Sequence, residues 1–345
     1  MFQVFNAKTA DAAWSEIMRH HQAGGFSSGQ GSRSGLTDEL LHAAICIENS
    51  RQRWISCRKP PMNIAFALVE VIWIVRGRND SAFLNYFNSK LPQFAGNEPT
   101  YSGAYGWRLK RRFRMNQLHR TYETLKRNPD SRQAVLQIWD PRLDLPKSNG
   151  APRSQDIPCN LSACLKVRNG KLEWLQTMRS NDMFRGLPHN IVQFTTLQEI
   201  MAGWLGVEPG AYHHLSDSLH LYRVDVDQIE IGASSVQNND DLRLEKWASD
   251  RALAALEQLV EKIISPTTSV KALKEYAETF PGTIAYKNIA RVLCAEGARR
   301  RKCPDQARAI MAYCENLAFS NLFDAWLERV ESTRSLKRAS DSGGL

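Results

Sequence analysis

An α+β fold followed by an all-helical extension is predicted by three observations. The runs "LSACLKV" and "KLEWLQT" alternate like strands. They flank Asn169-Gly170, a pair that tolerates the positive φ of a tight hairpin turn. Residues 62–76 and 191–206 are apolar, free of breakers and of helical length, and each is stopped by a glycine, Gly77 and Gly206. After Asn238 the pattern turns wholly helical: Leu253, Leu256, Val260 and Ile263 recur at helical spacing. These observations divide the chain into an α+β domain at 1–237, a helical extension at 238–331 and a polar, disordered tail at 332–345.

The remaining elements follow in order. Ala10, Ala13, Trp14, Ile17 and Met18 predict a helix over 9–23. The Gly/Ser-rich run 24–35 reads as too flexible for a regular element. Residues 39–48 fit a strand or a short helix, and 132–139 fit a strand. In the extension, helical stretches are expected near 241–264, 267–279, 284–298 and 305–331.

With 345 residues, 43% of them hydrophobic, the chain can bury one large core or two smaller ones. Seven cysteines, an odd number scattered from 46 to 314 without a CxxC pair, suggest neither a disulfide framework nor a zinc site. No metal is expected. The first residues lack the pattern of a signal peptide. The longest apolar run, 64–75, is too short to span a bilayer and carries Glu70. A soluble, cytoplasmic protein is the expectation. The net charge of +9 is concentrated in "RLKRRFR" (108–114) and "RRRK" (299–302). Solvated faces are the plain reading of both runs. No homeodomain, zinc-finger or RRM signature accompanies them, which argues against a sequence-specific DNA binder.

Two places carry chemistry. A lone cysteine is usually a small core residue, but Cys159 sits in "DIPCN", directly after a proline. The hairpin that follows returns the chain to its start, so Arg179 can stand beside Cys159, favouring the thiolate or holding an anion. Glu70 is the one charge inside an otherwise apolar helix. It is either a paired buried carboxylate or a general acid/base. From the residues alone the reading is a possible nucleophile, an anion site and a buried carboxylate.

A set of motifs in one order then becomes specific. Pro158-Cys159 is followed by Arg179-Ser180-Asn181-Asp182, by Gly186-Leu187-Pro188-His189-Asn190 and by Asp217-Ser218-Leu219-His220-Leu221-Tyr222. Upstream stand Arg33 in "SRSG", Glu70 in "VEVIWIVRG", Tyr105 in "GAYGWR" and Arg132 in "NPDSRQ". Over residues 9–225 this resembles the thymidylate synthase family, as a divergent member. The resemblance implies a mixed sheet with packed helices and a one-carbon transfer from methylene-tetrahydrofolate to C5 of a pyrimidine nucleoside monophosphate. It implies Cys159 as the nucleophile at C6, with Glu70 and Tyr105 managing protons. It gives Arg33, Arg179 and Ser180 to the phosphate and Arg132 to the phosphate of the other subunit of a homodimer. Asn190 would read the base, and His220 and Tyr222 the sugar. Asp182 and Gly186 would meet the pterin.

The match has departures. Asn160 stands where the family has histidine, Gln133 where it has arginine and His189 where it has phenylalanine. One extra residue separates Asp217 from His220. No tryptophan occurs in 76–106, and a helical extension replaces the short apolar tail. The first reading is methylation of dUMP, because the amide of Asn190 suits uracil. The alternative is a 5-hydroxymethylase of dUMP, dCMP or CMP, in which water quenches the intermediate. A reading of another class is a catalytically degenerate member that binds nucleotide or RNA. Three roles are open to the extension: a scaffold beside the catalytic domain, a lid over the folate mouth, or a module for an unrelated partner.

Overall fold

The computed structural model describes residues 2–33, 35–234 and 237–342, with side chains up to residue 333. Its strands are β1 (Gln3–Ala7), β2 (Ser27–Ser32), β3 (Gly35–Ile47), β4 (Arg58–Lys59), β5 (Val135–Gln137), β6 (Asn160–Arg168), β7 (Lys171–Met178), β8 (Asn181–Asp182), β9 (Glu208–Tyr222) and β10 (Glu230–Ile231). The hairpin β6–β7 closes on Asn169 (φ 50°) and Gly170 (φ 70°), as the sequence predicts. One mixed sheet runs β1-β3-β9-β7-β6-β5, with β2 added on β3 and β8 on β9, while β4 and β10 pair separately. β9 lies antiparallel to β3 and parallel to β7.

Register gives the sheet two unlike faces. Phe5, Ile45, His214, Gln176, Ala163 and Leu136 form one buried row across it. The helices α1 (Ala10–Gln22) and α8 (Leu187–Leu205) pack on the sheet. On the opposite face the row Asn6, Cys46, His213, Leu175, Cys164 and Val135 stays half-buried or exposed.

The helix α2 (Ile64–Arg76) carries Glu70. Asn63 caps its first turn by accepting from Phe66 N at 3.0 Å, and Gly77 ends it in the left-handed region (φ 72°). Every residue from Ile64 to Val75 is buried except Glu70. Short helices α3 (Ser81–Asn85), α4 (Pro92–Ala95) and α5 (Tyr105–Trp107) follow. A π-turn at Arg108–Arg112 leads to α6 (Gln117–Arg127), and α7 (Pro141–Asp144) and α9 (Arg223–Val226) are single turns. α5 sits hard against α2: a Cβ on Gly106 would stand 2.1 Å from the Ile74 carbonyl oxygen. Backbone cannot yield there, so Gly106→Ala is expected to cost about 1–3 kcal/mol or more. Chemical denaturation measures the loss, and turnover should fall with it because Tyr105 is the next residue.

The extension comprises α10 (Lys246–Ile264), α11 (Val270–Thr279), α12 (Ile284–Arg300), α13 (Pro304–Met311) and α14 (Leu317–Ser342). α10 turns Leu253, Leu256, Val260 and Ile263 inward, and both α10 and α12 pack against α2. A buried polar cluster fixes the junction. Glu199 pairs with Arg53 and accepts from Leu242 N, while Asp240 accepts from Asn288 (2.9 Å) and Asn316 (2.7 Å).

Four expectations are corrected. Residues 27–32 form β2 rather than an irregular loop, because they pair with β3; Gly29, at φ 89°, lies at the irregularity in that pairing. The stretch 305–331 is two helices, broken where Asn316 caps α14 by accepting from Ala318 N. The tail expected to be disordered is helical to Ser342, and 343–345 lie outside the described residues. The basic runs are not merely solvated faces. Arg108 makes a buried two-point bond to Asp144, and Arg299 makes one to Glu296. Arg301 donates to the carbonyls of Ile263, Ser265 and Thr268. Arginine carries enough directed donors to close helix ends in this way.

Candidate functional site

The loop carrying Cys159 is held from both sides. Arg179, at the end of β7, donates its backbone N–H to the Cys159 carbonyl at 2.9 Å and its Nε to the Pro158 carbonyl at 3.0 Å. Its guanidinium lies over Trp139. Arg33 crosses to the same loop, donating to Gln155 O (2.6 Å) and Phe94 O (2.9 Å). Asp156 accepts from Gly103 N at 2.6 Å, which ties the loop to the segment bearing Tyr105. Ser180 follows Arg179, half-buried.

Burial pushes the Cys159 thiol above its ordinary pKa. Arg179 and Arg33 pull it down, while Asp156 and Asp182 push it up. The guanidiniums therefore do not outweigh burial, and the resting group is the thiol, contrary to the expectation from Arg179 alone. Tyr105 belongs to the same cluster. Burial raises its hydroxyl, Cys159 and Glu70 add to this, and a side-chain bond to Asn160 offsets part. Asn160 in turn accepts from Gln176 (2.8 Å), which accepts from the Trp174 ring at 3.1 Å. Tyr105 stacks on Phe194 of α8, with ring centres 6.0 Å apart.

Across α2, Glu70 Oε2 meets His189 Nδ1 at 3.2 Å. Asn190, buried beside it, donates to Gln193 Oε1 at 3.1 Å, which leaves its carbonyl and a second N–H for a ligand. Asp182 Oδ1 accepts the backbone N–H groups of Phe184 and Arg185, and its Oδ2 is buried without a partner. Burial holds this carboxyl above the usual range, against those two N–H bonds and His220. Gly186 starts α8 under tight cover, since a Cβ there would stand 3.0 Å from Asn181 Oδ1.

β9 carries His220 and Tyr222. His220 and Tyr222 stand two apart on one face, their rings edge-to-face at 5.4 Å, and Arg185 lies over Tyr222. Asp217 is off that face and bonds His42, which takes a φ of 57°. Ser218 occupies the position two before His220, so the extra residue displaces the aspartate and not the histidine–tyrosine pair. Arg132 is exposed just before β5, at the sheet's edge, apart from the Cys159 cluster within this chain.

Neither the tie made by Asp156 nor the Glu70–His189 contact is legible in the sequence as part of this cluster. Asp156 adjoins the Pro-Cys pair, and that proximity was the available signal. The His189 contact joins two helices 119 positions apart, and nothing local announces it.

The thymidylate synthase family model matches residues 47–258. The deoxyuridylate hydroxymethyltransferase of Bacillus phage SP01 is 37% identical over 195 residues, covering 53% of this chain and 50% of that protein. The thymidylate synthase of Clostridium beijerinckii is 28% identical over 167 residues, covering 48% and 60%. The solved thymidylate synthase of T4 phage aligns with a TM-score of 0.48 at 20% identity, over 62% of this chain and 78% of that one. The chain thus spans about half of the phage SP01 relative's length and somewhat more of the bacterial one's. No helix among the described residues is long and apolar enough to cross a membrane.

Proposed function

This chain belongs to the thymidylate synthase family, and on that footing we propose that it transfers one carbon to C5 of dUMP, giving the 5-hydroxymethyl product. The observation that carries the reading is the single cluster built around the Cys159 loop, whose carbonyls Arg179 and Arg33 both bond and which Asp156 ties to the segment bearing Tyr105. The higher identity to a deoxyuridylate hydroxymethyltransferase than to a thymidylate synthase supports hydroxymethyl over methyl. Methyl transfer is the second reading, favoured by the thymidylate synthase among the relatives. Both share the early steps.

As Cys159 Sγ bonds C6, its thiol proton passes by way of Tyr105 and Glu70 to O4, and the C5=C6 electron pair moves onto C5 and O4 as an enol. Arg179, Arg33 and Ser180 hold the 5′-phosphate, Asn190 reads the uracil edge, and His220 and Tyr222 hold the sugar. Glu70 and Tyr105 exchange protons at O4 and C5. A methylene-tetrahydrofolate co-substrate supplies the carbon. The unpaired, buried Asp182 Oδ2 fits it, being an acceptor of the kind a pterin N–H requires. Asp182 and Gly186 would hold that ring.

The less covered sheet face, with Val135 exposed and Leu175 and Cys164 half-buried, supports a homodimer formed through the sheets. Arg132, at its edge, reaches the partner's phosphate. The odd, scattered cysteines support a cytoplasmic setting.

Mass spectrometry after incubating UMP, dUMP, CMP and dCMP with methylene-tetrahydrofolate tests this reading. A hydroxymethyl gain on dUMP is expected, and no gain on any of the four overturns it. Arg179→Ala should weaken dUMP binding about tenfold to a hundredfold, the worth of hydrogen bonds to a charged group, and deoxyuridine binding far less. Calorimetric titration of both ligands measures the split.

A further inference from the structure

We propose that His189 takes the proton from the water that attacks the exocyclic methylene of the nucleotide, and so fixes the hydroxymethyl product. The proposal rests on the one-carbon reading above. His189 lies in the first turn of α8, directly before Asn190, and faces Glu70 across the seam between α8 and α2. Its ring stands edge-on to Phe66 at 5.2 Å, and both side chains of the pair are only 16% exposed.

The pair lacks the bonding of a structural histidine. Nδ1 and Glu70 Oε2 are both enclosed, 3.2 Å apart, and neither has a directed hydrogen bond. Nε2 is not enclosed and has no protein partner among the described residues. A carboxylate behind one imidazole nitrogen steadies a proton arriving at the other. Glu70 also lies close enough to Tyr105 to perturb its hydroxyl, and Tyr105 feels Cys159. His189 is thus joined through Glu70 to the Tyr105–Cys159 cluster.

The step balances without a redox partner. The nucleotide at this stage has a Cys159–C6 bond and an exocyclic C5 methylene conjugated with the C4 carbonyl. Water oxygen bonds the methylene carbon, and its proton passes to His189 Nε2. The methylene π pair moves to O4 as an enolate. The enolate re-forms the C4 carbonyl and C5=C6 and expels Cys159 as thiolate, which the imidazolium's proton then neutralises.

The test compares full-length wild-type, His189→Phe and His189→Gln proteins in two assays. The first follows loss of tritium from C5 of dUMP without any one-carbon donor, which reads the Cys159 and Glu70 steps alone. The second follows hydroxymethyl and methyl products with the donor present. General-base catalysis contributes about 10²–10⁴-fold, so both variants should lose at least about a hundredfold in hydroxymethyl formation. Tritium release should change by much less, and the protein-bound nucleotide adduct should accumulate in intact mass spectra. Hydroxymethyl formation within tenfold of wild type in either variant that retains tritium release overturns the role of His189. If both variants lose tritium release to the same extent as product, His189 serves the early steps and the proposal is also overturned. Wild-type protein without product or tritium release overturns the one-carbon reading itself.

Discussion

Cys159→Ala is expected to abolish product formation, by more than about 10⁴-fold, while leaving dUMP binding largely intact. Two other thiols are set aside by their surroundings: Cys57 is buried against Asp11 and Ser15 with its thiol pushed up to about 12, and Cys294 is enclosed in α12. The loss should be chemical and not structural, because the loop is fixed through its backbone. Arg179 and Arg33 bond the carbonyls of Pro158, Cys159 and Gln155 whichever side chain position 159 carries. The variant should also lose the stable adduct that 5-fluoro-dUMP forms with the wild type. Steady-state kinetics and intact-protein mass spectrometry check both. Turnover by Cys159→Ala at the wild-type rate would remove the thiol from the mechanism.

Truncation after Asn238 is expected to leave an aggregating or unfolded protein, not a folded dimer with weakened folate binding. The Glu70-bearing helix α2 is covered by α10 and α12, and its C-terminal end is tied to α10 by Arg76–Glu257 (2.6 Å) and Arg78–Glu261 (2.6 Å). Arg300 and Arg301 reach the Phe87 carbonyl and the Tyr86 hydroxyl. Leu253, Leu256, Val260 and Ile263 alone are each worth about 1.5–3 kcal/mol of burial, against a total stability of about 5–15 kcal/mol. Glu199, which binds Arg53 in the core, would lose the Leu242 N–H that it accepts. Size-exclusion chromatography and thermal melting distinguish the outcomes. A soluble, cooperatively melting 1–238 fragment with normal dUMP binding would favour the lid if folate affinity and product formation are lost, and a separate partner module if the kinetics are unchanged.

Much of this architecture is legible in local chemistry. Asn169-Gly170 demands a turn with positive φ, and Asn63 and Gly77 bracket α2 because a cap and a left-handed residue satisfy helix ends. Strand β2 was illegible because Ser27–Ser32 is exposed throughout and is held only by its pairing with β3. Arg299–Lys302 shows the same limit for charge. A run of cations looks solvated until its carbonyl partners, distant in sequence, are brought to it. At the site, Cys159 and Arg179 were legible as neighbours because a hairpin joins them. The Cys159 thiol's resting state was not, because burial depends on α5 and the 155–158 loop closing over it. Glu70 was conspicuous in an apolar helix, whereas its contact with His189 needs the α2–α8 packing.

The most direct measurement of the central claim is mass spectrometry of the dUMP product formed with methylene-tetrahydrofolate in oxygen-18 water. The account predicts 5-hydroxymethyl-dUMP carrying the heavy oxygen on its new carbon, with formation lost in Cys159→Ala. Unlabelled thymidylate as the sole product would contradict the hydroxymethyl claim, and unchanged dUMP would contradict one-carbon transfer altogether.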